Sequence, residues 1–171
     1  MKKYELTAEF IEKWGKKLFR IKALISFGSV EVGELGGYVE KEDNLAQTGN
    51  AWVCGNAEVF GNARVYGNAR VCGDAEVCGN AEVCGDADYL LIGRIGSRFG
   101  FTTFFKNKEK GITVSCGCFL GTIAEFRAKV TDTHGDNKHA KMYNMAADMA
   151  ELQILGEEHF DKLNTNKSEP F

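Results

Sequence analysis

Proline and long apolar segments are scarce in this chain of 171 residues. The single proline is Pro170, and the charged sequence that opens at Met1 contains no apolar run, so neither a signal peptide nor a membrane span is predicted. The formal net charge of −3 gives no overall attraction for nucleic acid or for an acidic membrane surface. We therefore expect a cytoplasmic protein whose partners include neither nucleic acid nor a membrane.

Histidine is missing from residues 1–133, and the three that exist are His134, His139 and His159. Transfer of an acyl group to a hydroxyl or an amine needs a general base, which is most often a histidine. Most of the chain therefore lacks the usual base for such a reaction. His139 and His159 stand in polar surroundings and are predicted to be exposed.

Glycine is abundant, at 20 residues, and part of it belongs to a six-residue phrase that recurs between Gly49 and Leu90. Each copy reads Gly, Asn or Asp, Ala, a variable residue, Val and a second variable residue, with Tyr89 in place of Val in the last copy. The copies begin at Gly49, Gly55, Gly61, Gly67, Gly73, Gly79 and Gly85. Self-similarity at a fixed period predicts a solenoid, and a period of six predicts a parallel β-helix.

The chemistry of the phrase assigns a place to each of its residues. Gly followed by Asn or Asp tolerates left-handed backbone angles and predicts a corner. Val suits the centre of a strand, so Val points inward, its two neighbours point outward, and Ala takes the next inward place. The phrase also resembles that of the left-handed β-helix in hexapeptide-repeat proteins. This resemblance implies three sides that return the chain over itself every eighteen residues, which predicts Asn56 under Asp74 and Glu58 under Glu76. The last is a like-charge pair that the sequence leaves unexplained.

The second outward position of the hexads forms an unusually apolar wall. Its members are Cys54, Phe60, Tyr66, Cys72, Cys78, Cys84 and Leu90. Contiguous apolar side chains mark an interface, so we expect the C-terminal region or sister subunits to cover part of this wall. Cys54 and Cys72 should be stacked neighbours, but Cβ atoms about 4.8 Å apart are farther apart than a relaxed disulfide requires, and we predict two thiols.

The segments that flank the hexads divide the chain into four predicted parts. Residues 1–27 favour two short antiparallel strands with a turn at Trp14 and Gly15, although a helix capped by Thr7 is the alternative. Residues 28–90 form the β-helix, residues 91–155 an α/β cap, and residues 156–171 a flexible tail. The cap is expected to contain strands at 89–92, 101–106 and 112–119 and two helices. Thr122 caps the first helix, and Asp136 or Asn137 caps the second, which carries Ala140, Tyr143, Ala147, Ala150, Leu152 and Leu155.

Three segments together resemble phage and prophage hexapeptide-repeat proteins, some of which carry a transferase label. They are the stretch from Gly33 to Tyr38, the hexads, and the segment from Ile95 through Phe119. The resemblance implies a left-handed parallel β-helix of about three coils plus an irregular N-terminal coil, mainly β in class, with the C-terminal α/β cap. It also implies a homo-oligomer, with a trimer favoured, in the host cytoplasm.

Two constellations in the cap carry polar chemistry. Arg94, Ser97, Arg98, Thr102 and Thr103 lie on or beside a glycine-rich turn, where guanidinium groups, hydroxyls and backbone N–H groups suit a phosphate or a carboxylate. The alternative is a basic surface loop that forms salt bridges with the acidic coils.

The second constellation contains Cys116 and Cys118, expected on one side of a strand, and His134 at the end of the next helix. Cys118 and His134 are the candidate catalytic pair, with a partial metal site as a further option. The alternative is small buried thiols in a core strand. The sequence predicts no cofactor and no metal.

The leading interpretation is a non-enzymatic, phage-encoded binding protein that holds a small anionic, nucleotide-like ligand near Arg94, Ser97 and Arg98. Sequestration of a host signalling molecule is a role that the resemblance suggests. The alternatives are an acyl or other group transferase of the hexapeptide-repeat type, and a scaffold that binds a host protein through the apolar wall.

Overall fold

The computed structural model describes residues 1–159 and residue 161, and the chain divides into two compact units, Met1–Asp88 and Tyr89–Phe171. Of the predicted tail at 156–171, residue 160 and residues 162–171 lie outside the described part. Within the described part, no helix has both the length and the apolar character that crossing a membrane requires.

The N-terminal unit opens with an antiparallel hairpin of β1 (Tyr4–Lys13) and β2 (Lys16–Ala23). Trp14 and Gly15 form its turn, and both have positive φ angles. The predicted pair of strands is therefore confirmed. The next strand, β3 (Leu35–Val39), pairs antiparallel with β2 on one side and parallel with the hexad strand Glu58–Val59 on the other.

The hexads contribute six strands of two residues each. They are β4 (Trp52–Val53), β5 (Glu58–Val59), β6 (Arg64–Val65), β7 (Arg70–Val71), β8 (Glu76–Val77) and β9 (Glu82–Val83). Strands eighteen residues apart pair in parallel, β4 with β7, β5 with β8 and β6 with β9, so that each Val lies beside a Val. The side chain of Asn56 donates to Asp74 at 3.3 Å, which confirms the predicted stacking of residues eighteen positions apart.

The inward residues of the hexads form the core of the N-terminal unit. The Val of each strand and the Ala of the first six copies are at most 1% exposed, and Val39 and Leu45 join them, whereas Ala87 of the last copy is exposed. The corners are tight: Gly49 has φ +71°, and an added Cβ there would lie 2.7 Å from the carbonyl oxygen of Gly67. Glycine meets both demands because it has no Cβ.

The predicted fold class, a left-handed parallel β-helix with an α/β cap, is wrong. The described residues form a mainly β structure of several short sheets, some of them antiparallel, together with helices, and they form no closed solenoid. Each hexad supplies only two residues of strand, so β4–β7 and β6–β9 remain separate two-stranded sheets. The remaining ladder is part of a mixed sheet with the order β1-β2-β3-β5-β8, which begins in the antiparallel hairpin.

Two of the seven side chains in the apolar wall of the hexads are buried within the chain. Phe60 is 9% exposed and Cys78 is 3% exposed, whereas Cys84 is exposed. Cys54 and Cys72 are joined by a disulfide, so the prediction of two thiols is wrong for this pair. Parallel pairing in register brings their Cα atoms to 4.6 Å, which lies within the range that a disulfide spans.

The C-terminal unit begins with an antiparallel sheet of four strands in chain order. They are β10 (Tyr89–Ile95), β11 (Gly100–Lys106), β12 (Ile112–Cys116) and β13 (Phe119–Thr122). The strand predicted at 112–119 is interrupted at Gly117, where φ is +59°. The turn at this glycine separates Cys116 from Cys118.

Two helices follow the sheet, α1 (Ile123–His134) and α2 (Lys138–Leu155). Their N-terminal caps are confirmed, since Thr122 accepts a hydrogen bond from the N–H of Glu125, and Asn137 accepts from His139 and Ala140. The helices pack against the sheet around a core of their own. Its buried members are Phe104, Ile112, Val114, Phe126, Val130, Ala140, Ala146, Ala147, Ala150 and Ile154.

Candidate functional site

The predicted basic loop is the turn of the β10–β11 hairpin. Ile95 pairs with Gly100, and the chain reverses between them, with Gly96 at φ +76° and Phe99 at φ +51°. Arg94, Ser97 and Arg98 are exposed on this hairpin. Two guanidinium groups and a hydroxyl are therefore exposed at the same end of the C-terminal sheet.

Thr102 and Thr103 do not share that surface. They are only 1% and 2% exposed, and as successive residues of β11 they lie on opposite faces of the sheet. The hydroxyl of Thr102 donates to the sulfur of Cys116 across the β11–β12 ladder, at 3.1 Å. The surface part of the predicted site is thus reduced to Arg94, Ser97 and Arg98.

Two aromatic side chains beside the arginines were not among the predicted site residues. Phe99 is 70% exposed and Phe101 is 38% exposed. The ring of Phe101 lies against Gly93, where an added Cβ would overlap it. The available signal was the alternation of arginine and phenylalanine in Arg98-Phe99-Gly100-Phe101, since exposed aromatic rings next to cations suit ligands that have both a flat ring and an anion.

Tyr143 of α2 lies beneath the hairpin turn and ties it to the helices. Its hydroxyl lies so close to Gly96 that an added Cβ would overlap it, and it forms a hydrogen bond with Cys116. Burial raises the pKa of Tyr143, the neighbouring Cys116 raises it further, and the cationic Arg98 opposes part of the increase. Arg98 is therefore close enough to influence the charge of this phenol, and Gly96 is the position that admits the ring.

The candidate catalytic pair is not assembled as predicted. His134 ends α1 and stacks on Tyr143, with ring centroids 5.8 Å apart and planes inclined by 28°. Cys118 is exposed in the turn after β12, so Cys116, not Cys118, shares Tyr143 as a neighbour with His134. In the part of the chain that the structure describes, no group of three or more His, Cys, Asp or Glu side chains is arranged to hold a metal ion.

The N-terminal unit has an open groove of about 570 Å³ around the short 3-10 turn Glu42–Asn44. Its charged lining mixes both signs, two basic and two acidic side chains, so it offers an anion less net attraction than the hairpin does. These four are Lys41, Glu42, Asp43 and Arg64.

No protein-family model and no curated protein matches the chain.

Proposed function

We propose that this protein is a non-enzymatic binding protein that holds a small anionic, nucleotide-like ligand at the β10–β11 hairpin. The observation that carries the proposal is that Arg94, Arg98 and Phe99 are all exposed on one turn. Guanidinium groups bind phosphate through paired N–H donors, with hydrogen bonds that are stronger than those between neutral groups. The exposed hydroxyl of Ser97 adds a further donor.

The charge environment of the turn supports an anionic ligand. A basic surface loop of the ordinary kind forms salt bridges with nearby carboxylates, as Lys16 does with Glu40 in the N-terminal unit. Among the described residues, no carboxylate forms an ion pair with Arg94 or Arg98. Their donors are thus available to oxygen atoms of a ligand.

The aromatic residues favour a nucleotide over a simple anion. A base stacked on an aromatic side chain gains about 1–3 kcal/mol with little preference among bases, and Phe99 presents most of its ring to solvent. A ligand with a phosphate on Arg98 and a base on Phe99 would use both features of the turn. For a phage-encoded protein, as the resemblance suggests, a host signalling nucleotide fits this description.

The scaffold alternative draws no support from the apolar wall. Phe60 and Cys78 are buried, so the apolar surface open to a host protein is smaller than the sequence predicts. The group-transferase alternative draws none from the predicted pair, since Cys118 stands in a turn and His134 stacks on Tyr143.

Calorimetric titration with a panel of mononucleotides, cyclic dinucleotides and inorganic pyrophosphate tests the proposal. We expect Arg98→Ala to weaken binding of every ligand by about tenfold or more, because a charge-assisted hydrogen bond contributes about 1.5–3 kcal/mol. Phe99→Ala should weaken the binding of the nucleotides and leave the binding of pyrophosphate unchanged.

The matched control is Lys108→Ala. Lys108 is an exposed cation in the turn between β11 and β12, at the opposite end of β11 from Arg98. If it weakens binding as much as Arg98→Ala does, the attraction is only a matter of overall charge. Absence of heat with the whole panel would reject the proposed function.

A further inference from the structure

Helix α2 presents four large apolar side chains to solvent. Met142 is 39% exposed, Met145 is 65%, Met149 is 57% and Leu152 is 45%. We call these four residues the α2 seam.

The spacing of the α2 seam is that of a coiled-coil interface. Its members follow one another at intervals of three, four and three residues, which are the a and d positions of a heptad. The inner face of the helix is separate and is filled by small residues, including Ala147 and Ala150, both fully buried in the C-terminal core. α2 thus has one apolar face that is packed and a second that has no partner in the chain as described.

We propose that the α2 seam binds the α2 seam of a second copy of this chain, with the two helices antiparallel. A two-fold axis pairs one patch with itself, so a self-complementary seam suffices for closed assembly. Antiparallel pairing centred near Ala147 brings Met142 beside the partner's Leu152 and Met145 beside the partner's Met149. All four side chains then lose contact with water together.

The charges at the ends of the helix select the antiparallel arrangement. Lys138 opens α2, and the exposed Glu157 and Glu158 follow its last residue, Leu155. Antiparallel helices place Lys138 beside the partner's Glu157, whereas parallel helices place each charge beside its own kind. The opposed helix dipoles add to the preference.

The size of the seam determines the strength of the assembly. Its four residues span about 15 Å of helix, which supplies less than the roughly 800 Å² per partner of a typical stable interface. The dimer is therefore reversible and forms in the micromolar range or above. This assembly is independent of the ligand at the hairpin and differs from the trimer expected from sequence.

Sedimentation velocity on the full chain, from about 1 μM to about 1 mM, tests the proposal. We expect the wild type to pass from monomer to dimer with concentration, and Met149→Glu to raise the dissociation constant at least tenfold because it would bury an unpaired charge. Leu120→Glu is the matched control, since Leu120 is 52% exposed on β13 of the same unit. It should leave the dissociation constant unchanged.

A charge exchange tests the orientation. Lys138→Glu and Glu157→Lys should each weaken the dimer, and the double variant should recover most of the loss, which only an antiparallel pair predicts. A wild type that stays monomeric throughout, an assembly that Met149→Glu leaves intact, or a double variant weaker than both single variants would each overturn the proposal.

Discussion

At the scale of the residue, one lysine from the β1–β2 hairpin stabilises the like-charge pair of the hexads. Glu58 and Glu76 are parallel neighbours, and Lys13 of β1 forms an ion pair with each, at 2.6 Å to Glu58. Burial opposes the charge on Lys13, but its hydrogen bonds to the two carboxylates outweigh this effect and raise its pKa. Burial raises the pKa of Glu58, and Lys13 limits the increase.

Lys13→Ala should therefore destabilise the N-terminal unit by about 2 kcal/mol near neutral pH, because it removes the cation that pairs with both partly buried carboxylates. The pKa of Glu58 is raised in the folded state, so its protonation at low pH favours folding, and the cost of the substitution should shrink near pH 4. Urea denaturation at both pH values measures this. Lys2→Ala removes an exposed pair with Glu42 and should cost less than about 0.5 kcal/mol. Equal costs at both pH values for Lys13→Ala would contradict the explanation.

The buried Lys3 supplies a second prediction, in which stability increases as the pH rises. It is 2% exposed, its ammonium donates to the carbonyl of Ala51 at 2.7 Å, and it lies over the ring of Phe27. Burial lowers its pKa from 10.5 to about 8, so above that pH the folded chain has released a proton that the unfolded chain still binds. Stability should rise between pH 8 and about 10, relative to Lys3→Met. Thermal unfolding of both proteins across this pH range measures the difference in stability. If the stability of the two proteins depends on pH in the same way, Lys3 does not have this effect. Burial also raises the pKa of Tyr4, which lowers the stability of both proteins above about pH 10 and leaves the difference between them unchanged.

At the scale of the element, Tyr143 of α2 contacts the turn of the β10–β11 hairpin at Gly96. The turn can approach the helix because residue 96 is glycine and leaves room for the hydroxyl of Tyr143. The same hydroxyl bonds to Cys116 of β12, so three elements meet at one side chain. The exposed arginines are thus carried on a turn whose base is fixed.

Gly96→Ala should be costly for two reasons, the φ angle of +76° and the overlap with Tyr143. Gly117→Ala separates them, because Gly117 has φ +59° with nothing within 4 Å of an added Cβ. We expect about 1 kcal/mol for Gly117→Ala and at least about 2 kcal/mol more for Gly96→Ala. Chemical denaturation gives both values. If the two costs are equal, the contact with Tyr143 does not hold the turn.

Regular patterns were readable from the sequence at this scale, and contacts between distant residues were not. The repetition of Val and Ala predicted the buried interior, and Thr122 and Asn137 predicted the helix starts, because each pattern is local. The position of Lys13 opposite Glu58, and the burial of Thr102 and Thr103, depend on which strands become neighbours.

At the scale of the whole molecule, the chain consists of two units, each with a core of its own. The C-terminal unit encloses Phe104, Phe126 and Val130 between its sheet and its helices. Phe126 also makes edge contacts with Phe104 and Tyr143, with centroids 5.7 and 5.6 Å away. A core of this kind is what allows a unit to fold on its own.

Residues 89–171 expressed alone should therefore fold. We expect a helical circular-dichroism signal and one cooperative unfolding transition. Phe126→Ala should lower the free energy of unfolding of this fragment by about 3 kcal/mol. The control is the full chain with the same substitution, in which residues 1–88 should keep their own transition. A fragment without cooperative unfolding would show that the C-terminal core depends on the rest of the chain.

The uniform interior of the hexads has a consequence for how the chain finds its native alignment. A slip by one hexad would still place Val on Val and Asn on Asn, so the inside of the N-terminal unit cannot distinguish the correct alignment from the shifted one. In the native alignment, pairing at eighteen residues places Cys54 beside Cys72. The slip would instead place Cys54 beside Cys78. The varied outward residues therefore determine which alignment forms. A chain made of identical hexads would keep its packed interior but would no longer favour one alignment.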